Sequence, residues 1–424
     1  MEVGRARSTF GHFGVPGAPY INHRAITTAM SDFKFIHCAD LHLGSRFAGI
    51  RSRDMDLAKR MTESTFSSFR KIADLARSEN ADFMVISGDI FDKENITPRT
   101  RFRFAEILGR LDIPCYIAWG NHDHTTSWED DIPLPPNVRE FGGGPERFML
   151  DLKNGDKVEI SGISFTSRNT GEDLAIKLEG SKDVFTVGCV HCDVDSSDAS
   201  AYAPARLADM IGKDIDYWAL GHIHRRAVLH ERPYVVYPGN TQGRSIKESG
   251  EKGAYVVTVV SDTVKELRFV PTQEIVWERI DADITGHDLP SFIDSVSSRI
   301  KKNSVVRIAV RGRGALDNMI RSEPDEILKA IQDRSAGTVA DMEVFSKPES
   351  VPSAGGKDLV SKVASVADSV MMMERDRLIG AICSTATSKK YLQKYFESMS
   401  DEELRNLVGD ARVRLLERFS EASE

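Results

Sequence analysis

Cys115-Tyr116-Ile117-Ala118-Trp119, followed by Gly120-Asn121-His122-Asp123, is the stretch that orders the rest of the chain. The apolar run reads as a buried strand. Its end delivers an amide oxygen, an imidazole and a carboxylate side by side. An amide is a poor general base but an acceptable ligand for a hard metal, and the neighbouring imidazole can carry a proton. Alone, these residues describe an ordinary polar turn. Four other apolar runs end on the same kind of group, and that changes the reading.

Upstream, a strand over 34–39 ends on Asp40-Leu41-His42, and one over 82–87 ends on Gly88-Asp89. Downstream, 184–190 ends on His191, and 216–220 ends on Gly221-His222-Ile223-His224. Helical spacing over 55–79, with Leu57, Met61, Phe69, Ile72 and Ala76, and over 99–110 alternates with these strands. Strands alternating with helices predict an α/β layer fold, and ligands gather at strand ends in such folds. Oxygen and imidazole donors without a thiolate suit a pair of manganese, iron or zinc ions. They suit a structural zinc or an all-oxygen calcium site less well.

At 424 residues the chain is long enough for two or three domains, and 41% hydrophobic with 28% charged residues is globular composition. A net charge of -8 argues against non-specific binding of nucleic acid over the whole surface, but leaves room for a local basic groove. Five cysteines, with Cys189 and Cys192 as an isolated CxxC, point to a reducing, cytoplasmic setting and away from a zinc ribbon. No apolar run has the length to cross a bilayer, so no membrane partner is expected.

Residues 1–31 lack periodicity and read as a disordered extension, with Met30 a candidate natural start. Residues 32–271 form the expected main domain, with strands also at 157–160 and 234–240 and a closing strand at 253–260. Residues 272–346 read as a small α+β domain, with strands at 275–283, 305–310 and 339–345 and helices at 288–301 and 323–333. Residues 347–356 read as a linker, and 357–424 as a helical tail with two amphipathic segments.

Asp40-x-His42, Gly88-Asp89, Gly120-Asn121-His122-Asp123, His191 and Gly221-His222-x-His224 resemble, in order and spacing, the motifs of the calcineurin-like metallophosphoesterase superfamily. Ala39-Asp40-Leu41-His42-Leu43-Gly44, Gly88-Asp89-Ile90-Phe91-Asp92 and Tyr237-Pro238-Gly239-Asn240-Thr241-Gln242-Gly243-Arg244 are similar to its bacterial DNA repair exonuclease branch, the YhaO type above all. The resemblance covers about residues 34–270, and the later domain resembles a capping domain only through Arg307–Arg313. It implies a layered metallophosphoesterase sandwich of mixed sheets flanked by helices.

For the site, the resemblance implies two divalent cations, manganese first, with iron or zinc as alternatives. Asp40, His42 and His224 would hold one and Asn121, His191 and His222 the other, with Asp89 bridging. Two cations about 3.5–4 Å apart can share a hydroxide and stabilise in-line displacement at phosphorus. His122 is implied as the acid that protonates the departing sugar oxygen, with Asp123 orienting its ring.

Other residues carry two readings each. Arg46, His124, Arg244 and Lys247 are candidate phosphate contacts or surface positions. His37, out of step with Asp40, reads as a buried, satisfied histidine. Lys301, Lys302, Arg307, Arg311 and Arg313 form a basic stretch, either a backbone guide for nucleic acid or a solvated face. The expected function is a metal-dependent phosphodiesterase acting on DNA, an exonuclease in repair. The alternatives are a small-molecule phosphatase or cyclic-nucleotide phosphodiesterase on the same core, and a DNA-end-binding scaffold with minor nuclease activity. Family resemblance adds two partner expectations: an SMC-like ATPase on the C-terminal helices and a homodimer through helices between 54 and 110.

Overall fold

Phenylalanine at 33 and 35 gives the first strand, Phe33–Cys38, one strongly apolar face, and past Lys34 the other face carries Ile36 and Cys38. A strand apolar on both faces must be covered on both sides. The computed structural model, which describes residues 32–45, 55–92, 96–125, 133–196, 202–348 and 359–421, shows that cover. Phe33–Cys38 pairs in parallel with Phe83–Ser87, which pairs in parallel with Cys115–Ala118, and that in turn with Val138–Glu140. On its other side Phe33–Cys38 pairs antiparallel with Gly253–Val260, and Thr263–Pro271 completes this six-stranded sheet. The second six-stranded sheet runs Ala227–Glu231, Tyr234–Tyr237, Tyr217–Gly221, Phe185–His191, Lys157–Ile163, Glu146–Asp151. Both sheets are mixed.

The two sheets pack face to face. Phe35, Phe83 and Val85 from the first meet Val187, Tyr217 and Ala219 from the second in one apolar cluster. The rings of Phe35 and Phe83 stack at 4.9 Å, and Tyr217 meets Phe35 edge-on at 5.1 Å. Helices Met55–Ser78 and Pro98–Gly109 cover the outer face of the first sheet through Phe69, Ile72 and Phe104. Thr97 caps the second of these by accepting from the Thr100 amide, with Pro98 at the first helical position. Trp218, Leu220, Met210 and Leu178 form the cluster on the outer face of the second sheet.

The described residues divide into two units, one holding those up to Arg244 together with Glu251–Glu274, the other Ser245–Gly250 and those from Ile275 on. In the second unit Val276–Asp283, Ser304–Arg311 and Thr338–Val344 form an all-parallel sheet. Parallel neighbours need crossovers, and helices Leu289–Ser297, Leu316–Ser322 and Pro324–Arg334 supply them. The expected α+β domain is therefore a βαβαβ layer. Two arginines of its basic stretch are paired with acids, while Lys301 and Lys302 are exposed. Arg307 pairs with Asp341, directly opposite it on the neighbouring strand, and with Glu343 two residues further on. Arg311 pairs with Asp281, two residues from its own register partner Asp283.

The tail folds into four helices rather than two, Leu359–Met371, Arg375–Ile382, Ala386–Ser398 and Asp401–Glu421. Gly253–Val260 lies inside its sheet and not at the edge, since Thr263–Pro271 follows it. The expected extension at 1–31, and 349–356 of the expected linker, lie outside the described residues. Among the described residues no helix is long and apolar enough to cross a membrane, and all five cysteines are free and buried.

Candidate metal centre

The strand ends converge at one edge of the two sheets, and three glycines let them approach. A β-carbon on Gly88, at φ +85°, would lie 2.5 Å from Nδ1 of His191 and 2.9 Å from the Gly120 backbone. One on Gly221 would run into the carbonyl oxygen of Ser87, and one on Gly120 into the Asp89 carboxylate. Only glycine allows such contact. The turns themselves are strained: Asp40 (φ 52°), His42 (φ 42°), Asp89 (φ 50°) and His222 (φ 101°) all sit at positive φ without being glycine. Strain of this kind persists where surrounding structure holds it, here through Asp40 N–H to Gly88 O and His42 N–H to Asp89 O, both 3.0 Å.

Within that frame, ligand atoms of Asp40, His42, Asp89 and His224 all lie within 4.8 Å of one another. Nε2 of His42 faces Nε2 of His224 at 3.1 Å, and His224 Nε2 stands 3.7 Å from Asp40 Oδ1. Beside them, His191 Nε2 lies 3.0 Å from Asn121 Oδ1 and 3.4 Å from Asp89 Oδ2. His191 also donates from Nδ1 to the Ser87 carbonyl at 2.9 Å, which fixes the ring. The His222 ring packs on that of His191 at 5.2 Å, while its backbone N–H reaches both oxygens of Asp40. Buried carboxylates facing imidazole nitrogens, with nitrogen set against nitrogen, form a donor set that needs positive charge in its midst. The residues fit two divalent cations, with Asp89 placed between the groups.

Charge coupling is correspondingly strong. Burial works against ionising Asp89, but His191, His42 and His122 outweigh it and hold the carboxyl well below its usual range. Burial also opposes charge on His191, and Asp89 and Asp40 overcome it, drawing that imidazole up to about 9. Burial, then the neighbouring His191, takes His222 down to about 4.

His122 stands beside this cluster. Its backbone N–H donates to Asp89 Oδ1 at 3.0 Å, and its ring meets His42 edge-on at 5.3 Å. The carboxylate that holds the ring is not Asp123 but Asp92, whose Oδ1 is 3.0 Å from His122 Nδ1 and 2.7 Å from His42 Nδ1. The Asp92 hydrogen bond, against burial, raises the His122 pKa. Asp123 is turned inward and accepts from the backbone N–H groups of Gly120, Ile90 and Phe91. An adjacent side chain in a tight turn points elsewhere, and this one ties two polar loops together. Its burial and the nearby Asp89 charge push its carboxyl up to about 7.

Of the candidate substrate contacts, Arg244 reaches the site. It lies 3.3 Å from Asp92 Oδ2 and 3.3 Å from His224 Nδ1. His124 is buried rather than solvated, Lys247 is exposed, and Arg46 lies outside the described residues. His37 is fully buried, with Nδ1 3.0 Å from the Tyr217 hydroxyl and Nε2 3.2 Å from the Leu220 carbonyl. Sequence reasoning gave no role to Asp92, Lys252 or Tyr202. Asp92 follows Asp89 at a fixed short spacing inside a motif already singled out, which was its signal. Lys252 is buried with its ammonium 2.8 Å from the His224 carbonyl, and the Tyr202 ring packs 5.2 Å from that of His222. Neither has a local signal.

The comparisons with known proteins agree with this geometry. The family model for calcineurin-like phosphoesterases matches residues 33–226. A metallophosphoesterase of Bacillus subtilis, YhaO, is 34% identical over 72% of this chain and 79% of its own length. The chain belongs to the calcineurin-like metallophosphoesterases. It is a metal-dependent phosphoesterase, a hydrolase whose centre is the histidine–aspartate cluster. More distant metallophosphoesterase relatives include two proteins called DNA double-strand break repair protein Mre11. That of Archaeoglobus fulgidus is 27% identical over 51% of this chain and 52% of its own length. That of Aeropyrum pernix is 24% identical over 78% and 80%.

Proposed function

We propose that this metallophosphoesterase hydrolyses DNA phosphodiester bonds as a repair exonuclease, with His122 as the acid for the leaving sugar oxygen. The observation that carries the reading is the placement of His122. It is held at Nδ1 by Asp92, lies outside the four-residue cluster, and keeps a third of its side chain open to solvent. With its Nδ1 taken up by Asp92, in a second close group of His42, Asp92 and His122, such a residue can hand a proton to an alkoxide, which a phosphodiester of DNA expels and which leaves poorly unprotonated. Two bound divalent cations would supply Lewis acidity and a nucleophile at neutral pH. Asp40, His42 and His224 would hold one, Asn121, His191 and His222 the other, with Asp89 shared. Arg244, anchored on Asp92, is placed to meet a phosphate oxygen. The choice of DNA is supported by the repair role in the names of the Mre11 relatives.

The test compares leaving groups. In the His122→Asn protein, turnover of linear duplex and single-stranded DNA should fall by about 10²–10⁴-fold. Turnover of bis-p-nitrophenyl phosphate, whose phenolate leaves without a proton, should fall far less, and both cations should remain bound. Equal losses on both substrates would remove His122 from the acid role. Wild-type protein that turns over the small diester but neither DNA would overturn the nuclease reading in favour of a small-molecule phosphodiesterase.

Two partners belong to the same reading. Exposed Tyr391, Leu392, Tyr395, Leu407 and Leu415 on the tail helices suit docking on a helical SMC-like ATPase. Phe102, 60% exposed on Pro98–Gly109, suits contact with a second copy.

A further inference from the structure

The second unit contains a cleft of about 830 Å³ that the phosphoesterase chemistry does not use. Arg313, Lys347, Arg405 and Arg412 line it, along with the carboxylates of Asp368 and Asp410. The carboxylates are already engaged: Asp368 pairs with Arg412, and Asp410 with Lys347 at 2.7 Å. That leaves two guanidinium groups whose charge is not matched. Among the described residues, Arg313 Nη1 donates only to the Pro348 carbonyl and Arg405 Nη1 only to the Met371 carbonyl, each at 2.9 Å. Among the described residues neither side chain has a carboxylate partner. A guanidinium carries five N–H donors in a rigid fork, so most of each fork remains for an anion.

The rest of the lining is apolar. Met371, Met372 and Val413 contribute to the wall, and Met372 is 86% exposed. Methionine adapts its shape to a flat apolar surface. The volume falls in the range of roughly 300–1,000 Å³ typical of small-molecule clefts. Two unmatched positive charges beside a thioether wall, in a chain of net charge -8, call for a doubly charged anion joined to a flat apolar body.

We propose that this cleft binds a nucleotide phosphomonoester, its phosphate between Arg313 and Arg405 and its base on Met371 and Met372. The same chemistry comes from two sources, a free mononucleotide or the phosphorylated end of a strand. The proposal does not depend on the nuclease reading, since no residue of the metal centre lines the cleft.

Isothermal titration of the full chain, with EDTA present so that the metal centre takes no phosphate, tests it. The probes are dAMP, a 5′-phosphorylated oligonucleotide and inorganic phosphate. Saturable binding is expected, weakened roughly 10- to 100-fold by Arg405→Gln and by Arg313→Gln. Met372→Glu, at a position too exposed to disturb folding, should weaken it as well. Binding of dAMP marks the free nucleotide as the ligand, and binding of the oligonucleotide alone marks the strand end. Inorganic phosphate binding as tightly as both would remove the nucleotide assignment. The absence of saturable binding to all three, or wild-type affinity in Arg405→Gln and Met372→Glu, would overturn the proposal.

Discussion

Asp92 shows how one carboxylate can hold two histidines at once. Its Oδ1 lies within hydrogen-bond distance of Nδ1 on both His42 and His122, and its Oδ2 lies 3.3 Å from Arg244. The bond to His42 fixes the tautomer that turns Nε2 toward the cluster, and the bond to His122 fixes that ring beside it. Replacing Asp92 with Asn keeps the shape but removes the charge that both imidazoles face. The expected result is a fall in cation affinity of about 10–100-fold, with the melting temperature nearly unchanged. His122→Asn should leave cation affinity alone, so a metal titration separates the two residues. Wild-type affinity in Asp92→Asn would show that His42 is oriented by packing instead. Proximity in sequence was a poor guide here. Asp123 adjoins His122 in the chain yet faces the loop amides, while Asp92 comes from another strand end.

At the scale of elements, the sheets hold the strand ends in place, and the sequence was legible where burial was complete. Phe33–Cys38, Phe83–Ser87, Cys115–Ala118, Phe185–His191 and Tyr217–Gly221 are almost uninterrupted apolar runs, so each strand and its polar end could be read directly. Thr263–Pro271 was missed because it is an edge strand: Lys265, Glu266 and Arg268 break its apolar pattern, as charges on edges commonly do. The periodicity of the tail shows only two of its helices because Arg375–Ile382 is just 8 residues long and Ala386–Ser398 leaves Tyr391, Leu392 and Tyr395 exposed. The small domain's parallel register depends on its crossovers, which no single strand reveals. Because the inter-sheet layer underlies the strand ends, a cavity there should be costly. Phe35 is fully buried between Phe83 and Tyr217, so Phe35→Ala should destabilise the fold by about 3–5 kcal/mol in urea titration. A loss under about 1 kcal/mol would mean that the two sheets close over the gap and are less rigidly packed than their aromatic contacts indicate.

At the scale of the whole molecule, the metal centre and the proposed docking helices fall on different parts of the chain. Every described residue placed at the metal centre belongs to the first unit, and the residues from Ile275 on add none. The tail helices have their own small core, Leu378, Ile379, Cys383, Phe396 and Leu404, so their order does not depend on the cation-binding loops. A chain ending at residue 356 should therefore hydrolyse bis-p-nitrophenyl phosphate with kcat/KM close to that of the full chain. It should also lose co-purification with the ATPase proposed to dock on Tyr391, Tyr395 and their neighbours. The two measurements fail in different ways. Loss of small-diester hydrolysis, with the cations still bound, would place a catalytic contribution in the tail. Undiminished capture of the ATPase would move the docking surface off these helices, and the exposed Tyr391 and Tyr395 would then need another partner.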